Sequence, residues 1–401
     1  MSGVMRRRSM LKSMPILFAL SLLFGGTVFS APNNLMQKAV NNTKTIERVK
    51  ALSNLDGASG NEQTIRNYVI NQLKDKRGDI TVDKLGNVLF GFHTYNPNLK
   101  TVLLMAHMDE VGFVITDIDE KGYLRVMPLG GWSQHAIWAH SWRIVLSKGR
   151  SITAISGIDP PHILTDFTQA PKINLNQFFL DTGLSSKQLK EKGVRPGLTI
   201  VPDVKFKRFG RFYQGKALDD RLGIAALFSV IESLKTNTKL QKQLNIIFAF
   251  TIQEELGMRG SKIIGQRLNP DVVLNVEAGI AHDYPMQFTN KNGPQLGKGP
   301  SLFIYESSML PDSELVEYLI DISKRNNIPI QWESEPSYGQ DGANIQQSGH
   351  GSAAINIGIP VRYAHSHYGI FDNADLINCE NLLVNAVLSM PQFISQLERN
   401  D

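Results

Sequence analysis

The segment Leu244 to Gly260, LNIIFAFTIQEELGMRG, constrains this chain more than any other stretch. Its first half is apolar and β-branched, without the alternation of a half-exposed strand, so it must be covered on both faces. It then runs into Glu254 and Glu255, adjacent carboxylates at a place where desolvation is costly. TVLLMAHMDEVGFVI (Thr101 to Ile115) reads the same way, as a buried strand interrupted by His107 and Asp109. DVVLNVEAGI repeats the pattern and ends near Glu277.

Helical periodicities lie between these runs. GIAALFSVIESLK puts Leu227, Val230, Ile231 and Leu234 on one face, and SELVEYLIDISKRNN follows further on. Strands alternating with helices predict an α/β domain with a mixed, largely parallel sheet flanked by helices. Near the start, Thr45 to Leu73 reads as one or two helices broken at DGASGNE, with Ser59 or Asn61 capping the second and Glu62 in its first turn. GDITVDKLGNVLF reads as a hairpin. From Tyr123 to about Phe209 the texture changes to short alternating strands broken by Gly and Pro, which predicts a small β-barrel or sandwich. The expected organisation is a discontinuous α/β domain, residues 31–112 and 209–401, around an inserted β domain at 113–208.

The net charge of +5 does not indicate a nucleic-acid partner. Arg6, Arg7, Arg8 and Lys12 lie in the first thirty residues, which contain no acid, and without these four the charge falls to +1. The same thirty residues read as an export signal. A basic start precedes an apolar stretch, Ile16 to Phe24, too short to span a bilayer, and cleavage is expected before Ala31. Retention as a membrane anchor is the alternative. Arg7-Arg8-Ser9-Met10-Leu11-Lys12 fits either a twin-arginine signal or an ordinary basic n-region. The mature protein is thus expected to be periplasmic or secreted, with no membrane anchor. The one cysteine, Cys379, excludes an intrachain disulfide or a thiolate cluster, and its apolar helical context marks a buried structural thiol.

Polar residues stand where apolar ones are expected in five segments: His107 and Asp109, Asp219 and Asp220, Glu254 and Glu255, Glu277, and His365 after IPVRYAHS. In open α/β sheets the strand C-terminal ends line one edge, where ligands bind. Two histidines and several carboxylates on one rim, with only Arg221 and Arg259 nearby, would be compensated by a pair of divalent cations. Imidazole plus carboxylate suits zinc, with cobalt or manganese as alternatives, and such ions lower the pKa of a shared water. Each element alone is weak, because Asp-Asp before a helix is usually a cap and Glu-Glu a solvated pair.

AHMDEVGFV, GKALDDRLG, QEELGMRGS, VEAGIAHDYP, LGKGPSL and GIPVRYAHS, in that order, resemble the motifs of the tetrahedral aminopeptidases. That family includes glutamyl and deblocking aminopeptidases and some members once labelled endoglucanases. The insert matches as well, in GGW, PPHIL and FFLDTGLSSKQLKEKGVRPGLTIV. The resemblance implies a zinc-exopeptidase-like fold and a metallopeptidase with two co-catalytic metals that removes residues from free peptide N-termini. It implies that His107 and Glu277 hold one metal, Glu255 and His365 the other, and that Asp219 bridges them. Glu254 matches the general base, Asp109 the carboxylate orienting His107, and Asp220 follows the bridging residue across a bond that is typically cis. The insert implies a homo-oligomer, usually a twelve-subunit tetrahedral particle. Asp341 in YGQDGAN aligns with a loop near the active site, to bind the substrate amine or simply form a turn.

Two positions depart from the family pattern. Glu277 stands where many relatives have Asp, and either carboxylate ligates a metal. In HSHYGIFDNADL, Gly369 stands where relatives usually have Glu, and His367 is a rival to His365 as ligand. His135, His140 and His162 lie in the insert, where loop or interface roles are expected. The competing functions are a deacylase, carboxypeptidase or cyclase using the same site, an oligomeric binding protein with a decayed site, and a glycosidase working through paired carboxylates. The interleaved histidines disfavour the last.

Overall fold

A computed structural model describes residues 42–163, 177–285 and 292–400. The export-signal reading of residues 1–30 lies outside the described residues. Among the described residues, no helix is long and apolar enough to cross a membrane.

The chain begins with helices Asn42–Asn54 and Gln63–Leu73. The expected hairpin follows as β1 (Asp79–Val82) and β2 (Val88–Gly91), and β3 is Lys100–His107. The stretch read as one interrupted strand is two, because β4 (Gly112–Ile118) leaves the main sheet after His107. β4, β5 (Leu124–Leu129), β6 (Ser141–Val145), β7 (Ser151–Ser156), β8 (Phe179–Asp181) and β9 (Thr199–Pro202) close an antiparallel barrel in the order β4-β5-β8-β7-β6-β9. Phe113, Trp142 and Phe178 fill it.

The main sheet resumes with β10 (Lys207–Phe209) and β11 (Phe212–Gly215). It continues through β12 (Leu244–Thr251), β13 (Val272–Ile280), β14 (Ser301–Glu306), β15 (Gln331–Glu335), β16 (Ala353–Arg362) and β17 (Gly369–Phe371). Its order is β1-β2-β12-β3-β13-β16-β17-β11-β10, with β14 on β16 and β15 on β14. β12, β3, β13 and β16 are mutually parallel; β2, β17 and β14 pair antiparallel with this set, and β15 pairs parallel with β14.

The continuous apolar runs are explained by cores on both faces. Val102, Leu104 and Ala106 face the larger core under helices Leu218–Leu234 and Asn373–Asn400. Leu103 and Met105 face the smaller core under Arg259–Leu268 and Gly342–Gln346. By strand alternation His107 and Glu277 continue the smaller-core face at the C-terminal edge of the sheet. Thr251 pairs with His107 there, so the turn after β12 begins beside the histidine.

The helix at Gln63 is not capped as expected. Glu62 is its N-cap residue and makes no side-chain cap bond. Ser59 instead donates to Asp109 Oδ2 at 2.6 Å, and Asn61 donates to Thr199 Oγ1 at 2.8 Å. The buried carboxylate and the barrel hydroxyl take the groups that a cap would have used.

Candidate active site

Asp219 organises the site. Its Oδ1 lies 3.0 Å from His107 Nε2, and its Oδ2 lies 3.2 Å from His365 Nε2. Glu277 Oε2 is 3.5 Å from the same His107 nitrogen, and Glu255 Oε2 is 3.5 Å from the same His365 nitrogen. One carboxylate thus separates two His–Glu pairs.

Both imidazoles are turned in the same sense. His107 presents Nδ1 to the Asp109 carbonyl at 3.1 Å, and His365 presents Nδ1 to the Gly131 carbonyl at 2.7 Å. Donation of Nδ1–H to a carbonyl leaves Nε2 facing the carboxylates, as a metal-ligating histidine requires. Gly131 comes from the barrel loop after β5, so the insert forms one wall. Its neighbour Gly130, at φ +85, packs so closely that a Cβ would meet Glu255 Oε2 at 2.9 Å.

The two glutamates share one cavity because the chain turns before them. Gln253 sits in the left-handed region at φ +53, ahead of Glu254, and Gly257 at φ +98 follows. Gln253, a non-glycine residue, opens the turn. Its backbone amides are held by side chains. Asn87 Oδ1 accepts Ile252 N–H at 3.0 Å, and the Asp109 carboxylate accepts Glu254 N–H at 3.0 Å and Glu255 N–H at 3.2 Å. Asn87 Nδ2 also donates to the Gly260 carbonyl at 3.1 Å, clasping both ends of the loop. Asp109 was expected to orient His107 with its carboxylate. Asp109 Oδ1 approaches His107 Nδ1 at 3.5 Å, the Asp109 carbonyl stands closer at 3.1 Å, and the same carboxylate also receives Ser59 and the turn.

The Asp219–Asp220 peptide is cis. Asp220 is buried and accepts from the backbone N–H of Gly223 at 2.9 Å and of His107 at 3.3 Å. Asp341 is 1% exposed and accepts the Thr251 hydroxyl at 2.6 Å. It is not among the residues that line the cavity, and it makes no cap bond. His367 is packed against Trp142 and His140, with ring centroids 4.2 and 4.0 Å away, among the barrel aromatics. The chain turns after Arg362, so strand alternation does not bring His367 to His365's side. Gly369 lies against Leu218, which a Cβ would meet at 2.9 Å; Leu218 occupies the room a longer side chain would need.

The cavity of about 220 Å³ is lined by Asp219, Glu254, Glu255, Glu277, His365 and Tyr338, with Gly131 and Met258 at its walls. Tyr338 escaped the sequence reading; only its neighbourhood in YGQDGAN was noted.

Charge is unbalanced here. Burial raises Glu254 well above the usual carboxylate range despite His107, with Glu277, Asp341 and Glu255 adding to it. Burial likewise pushes Glu255 to about 7 and Glu277 well up. Burial works against the imidazolium form of His365, but Glu255 and Asp219 outweigh it and push it up to about 10. His107 is held well above its usual value by Glu277, Asp109 and Asp219 in the same way. Arg221 does not relieve the carboxylates: it is buried, donates to the Leu52 carbonyl and faces Glu110. Lys216, a buried base the sequence reading missed, is paired with Glu110 at 2.7 Å, and Arg259 makes no ion pair among those described. His107, Asp219 and Glu255 offer ligand atoms within 4.8 Å of one another, as do His107, Asp220 and Glu277. A donor set of imidazole nitrogens and excess carboxylates fits divalent cations.

A mixed sheet with two His–Glu pairs around a shared aspartate at its C-terminal edge, walled by an inserted barrel, defines a metal-dependent hydrolase of the exopeptidase class. Residues 86–382 match the M42 glutamyl aminopeptidase family, and the chain belongs to that family. It is a metalloaminopeptidase by that membership. The lysyl aminopeptidase of Pyrococcus furiosus is 31% identical over 341 residues, covering 83% of this chain and 93% of that protein. The TET aminopeptidase of the marine sediment archaeon Thaumarchaeota archaeon SCGC AB-539-E09 superposes with a TM-score of 0.81 at 31% identity, covering 86% and 96% of the two chains. The TET1 peptidase of Pyrococcus horikoshii, which assembles into a tetrahedron or a large octahedral shell, gives 0.75 at 27% identity over 86% and 99%.

Proposed function

We propose that this chain is an exported aminopeptidase that removes residues one at a time from short peptides with a free α-amino group, using two divalent ions. His107 and Glu277 would hold one ion and His365 and Glu255 the other, with Asp219 placed between the two pairs. The observation that carries this reading is the division of Asp219, one oxygen 3.0 Å from His107 and the other 3.2 Å from His365. The bound ions, zinc first with cobalt or manganese as alternatives, supply Lewis acidity toward the scissile carbonyl and acidify water.

Glu254 is the general base. It takes a proton from the attacking water on its carboxylate and returns it to the leaving amine. Asp109 and Asn87 fix the turn from which it acts. Asp220 fixes the backbone of His107, and Asp341 supports the turn from below through Thr251. The barrel wall and the relatives' assemblies support a homo-oligomer, with a twelve-subunit particle as the specific form.

Export rests on the first thirty residues. Terminal sequencing of protein recovered outside the cytoplasm should begin at Ala31. The activity itself is tested with paired peptides bearing free and acetylated N-termini. The free peptide should be shortened stepwise and the blocked one left intact; cleavage of the blocked peptide alone points to a deacylase.

A further inference from the structure

We propose that Tyr338 is a catalytic residue, its phenol donating a hydrogen bond to the scissile carbonyl oxygen as that oxygen becomes negative. This rests on the aminopeptidase reading above.

Tyr338 lines the cavity beside Asp219, Glu254 and Glu277. Its hydroxyl donates to the Ala278 carbonyl at 3.1 Å and lies 3.4 Å from Asp219 Oδ2. It therefore stands between the shared aspartate and the main chain next to Glu277. The other polar side chains there are differently engaged. His365 turns Nε2 on Asp219 and Glu255, and carboxylates that would ligate the ions or act as base could only accept. Ser337, the other hydroxyl of the lining, sits at the exposed rim. Attack on a carbonyl develops negative charge among Asp219, Glu254, Glu255 and Glu277. A neutral donor there stabilises that charge once its O–H turns from the Ala278 carbonyl to the oxyanion.

Tyr338 is also held in place. Its ring stacks on the buried Phe303, centroids 5.9 Å apart and planes 14° apart. Its carbonyl accepts the Ser307 N–H at 2.9 Å and the Ser307 hydroxyl at 2.6 Å, and its own N–H donates to the Glu335 carbonyl at 3.2 Å. In the step itself, the water oxygen bonds to the carbonyl carbon, the C=O π pair moves to oxygen, and Glu254 takes the water's proton. Tyr338 donates its hydrogen bond to that oxygen and keeps its proton. On collapse the pair returns, the C–N bond breaks, and the amine leaves with the proton from Glu254.

The test compares Tyr338→Phe with wild type as full-length, metal-loaded protein. Metal content, thermal midpoint, kcat and KM on an aminoacyl anilide are measured, with inhibition constants for a tetrahedral phosphinic dipeptide isostere and for the free amino acid product. We expect kcat to fall about 10²-fold and the phosphinic isostere to weaken by a similar factor. KM, product inhibition and metal content should stay within about twofold. The proposal is overturned if kcat and isostere binding are unimpaired in an active background, if KM and product binding suffer as much as kcat, or if the variant loses metal. A folded, metal-loaded wild type inactive on every free peptide overturns the aminopeptidase reading, and this proposal with it.

Discussion

The Asp109 carboxylate accepts the backbone N–H of Glu254 at 3.0 Å. That bond ties the loop after the histidine strand to the turn carrying the base, so the ligand and the base are positioned by one buried residue, through its carbonyl and its carboxylate. With Glu255 N–H at 3.2 Å and the Ser59 hydroxyl at 2.6 Å, its two oxygens receive three donors.

Asp109→Asn therefore turns a donor toward groups that are themselves donors. One buried N–H or O–H is left unpaired, at a cost of about 1–3 kcal/mol. We expect a lower denaturation midpoint together with a fall of tenfold or more in kcat, read by denaturant titration and steady-state kinetics. A variant unchanged in both would show that the turn is held by its own backbone.

Glu333 supplies a pH test outside the site. It is 1% exposed, accepts Ile280 N–H at 2.5 Å and is paired with the Ser301 hydroxyl. Burial pushes its carboxyl up to about 8, from an ordinary value of 4.5. The folded state then binds the proton more tightly than the unfolded state, so its contribution is fully present below about 4.5 and is lost as pH rises toward 8. Stability should fall across that window with a slope approaching about 1.4 kcal/mol per pH unit from this group. Glu333→Gln should flatten the slope when unfolding free energies at pH 5 and 7.5 are compared; an unchanged slope contradicts the assignment.

The cavity also limits the substrate. Among the described residues its lining includes no lysine or arginine, while Asp219, Glu254, Glu255 and Glu277 all face it. A glutamyl side chain would enter without a lysine or arginine partner. Alanyl and leucyl anilides should exceed the glutamyl anilide by at least about tenfold in kcat/KM. A preference for glutamate would require a base brought in by a neighbouring subunit.

The sequence made the strands legible because short runs that are mostly apolar, without alternation, fit strands buried on both faces, and β3, β12 and β13 are such runs. It made the rim legible because His107 and Glu277 are polar interruptions of those runs at the end of a parallel sheet. What it hid depends on backbone geometry or on contacts between distant segments. The left-handed Gln253 carries no residue signal, since a glutamine is an unusual occupant of φ +53 and Gly257 nearby is the conventional choice. Tyr338 and Gly131 reach the cavity from a loop and from the barrel, and no periodicity marks them. Ser59 had the right chemistry for a helix cap, and only the fold reveals the competing buried carboxylate of Asp109.

The division of labour between the two adjacent glutamates is tested most directly by measuring metal content and turnover in Glu254→Gln and Glu255→Gln side by side. Glu254→Gln should keep two ions per subunit and lose about 10²–10⁴-fold or more in kcat, because the base is gone and the ligands remain. Glu255→Gln should instead weaken one of the two ions. Metal loss in Glu254→Gln with full occupancy in Glu255→Gln would reverse the assignment, and near wild-type turnover in Glu254→Gln would remove the general base from the account.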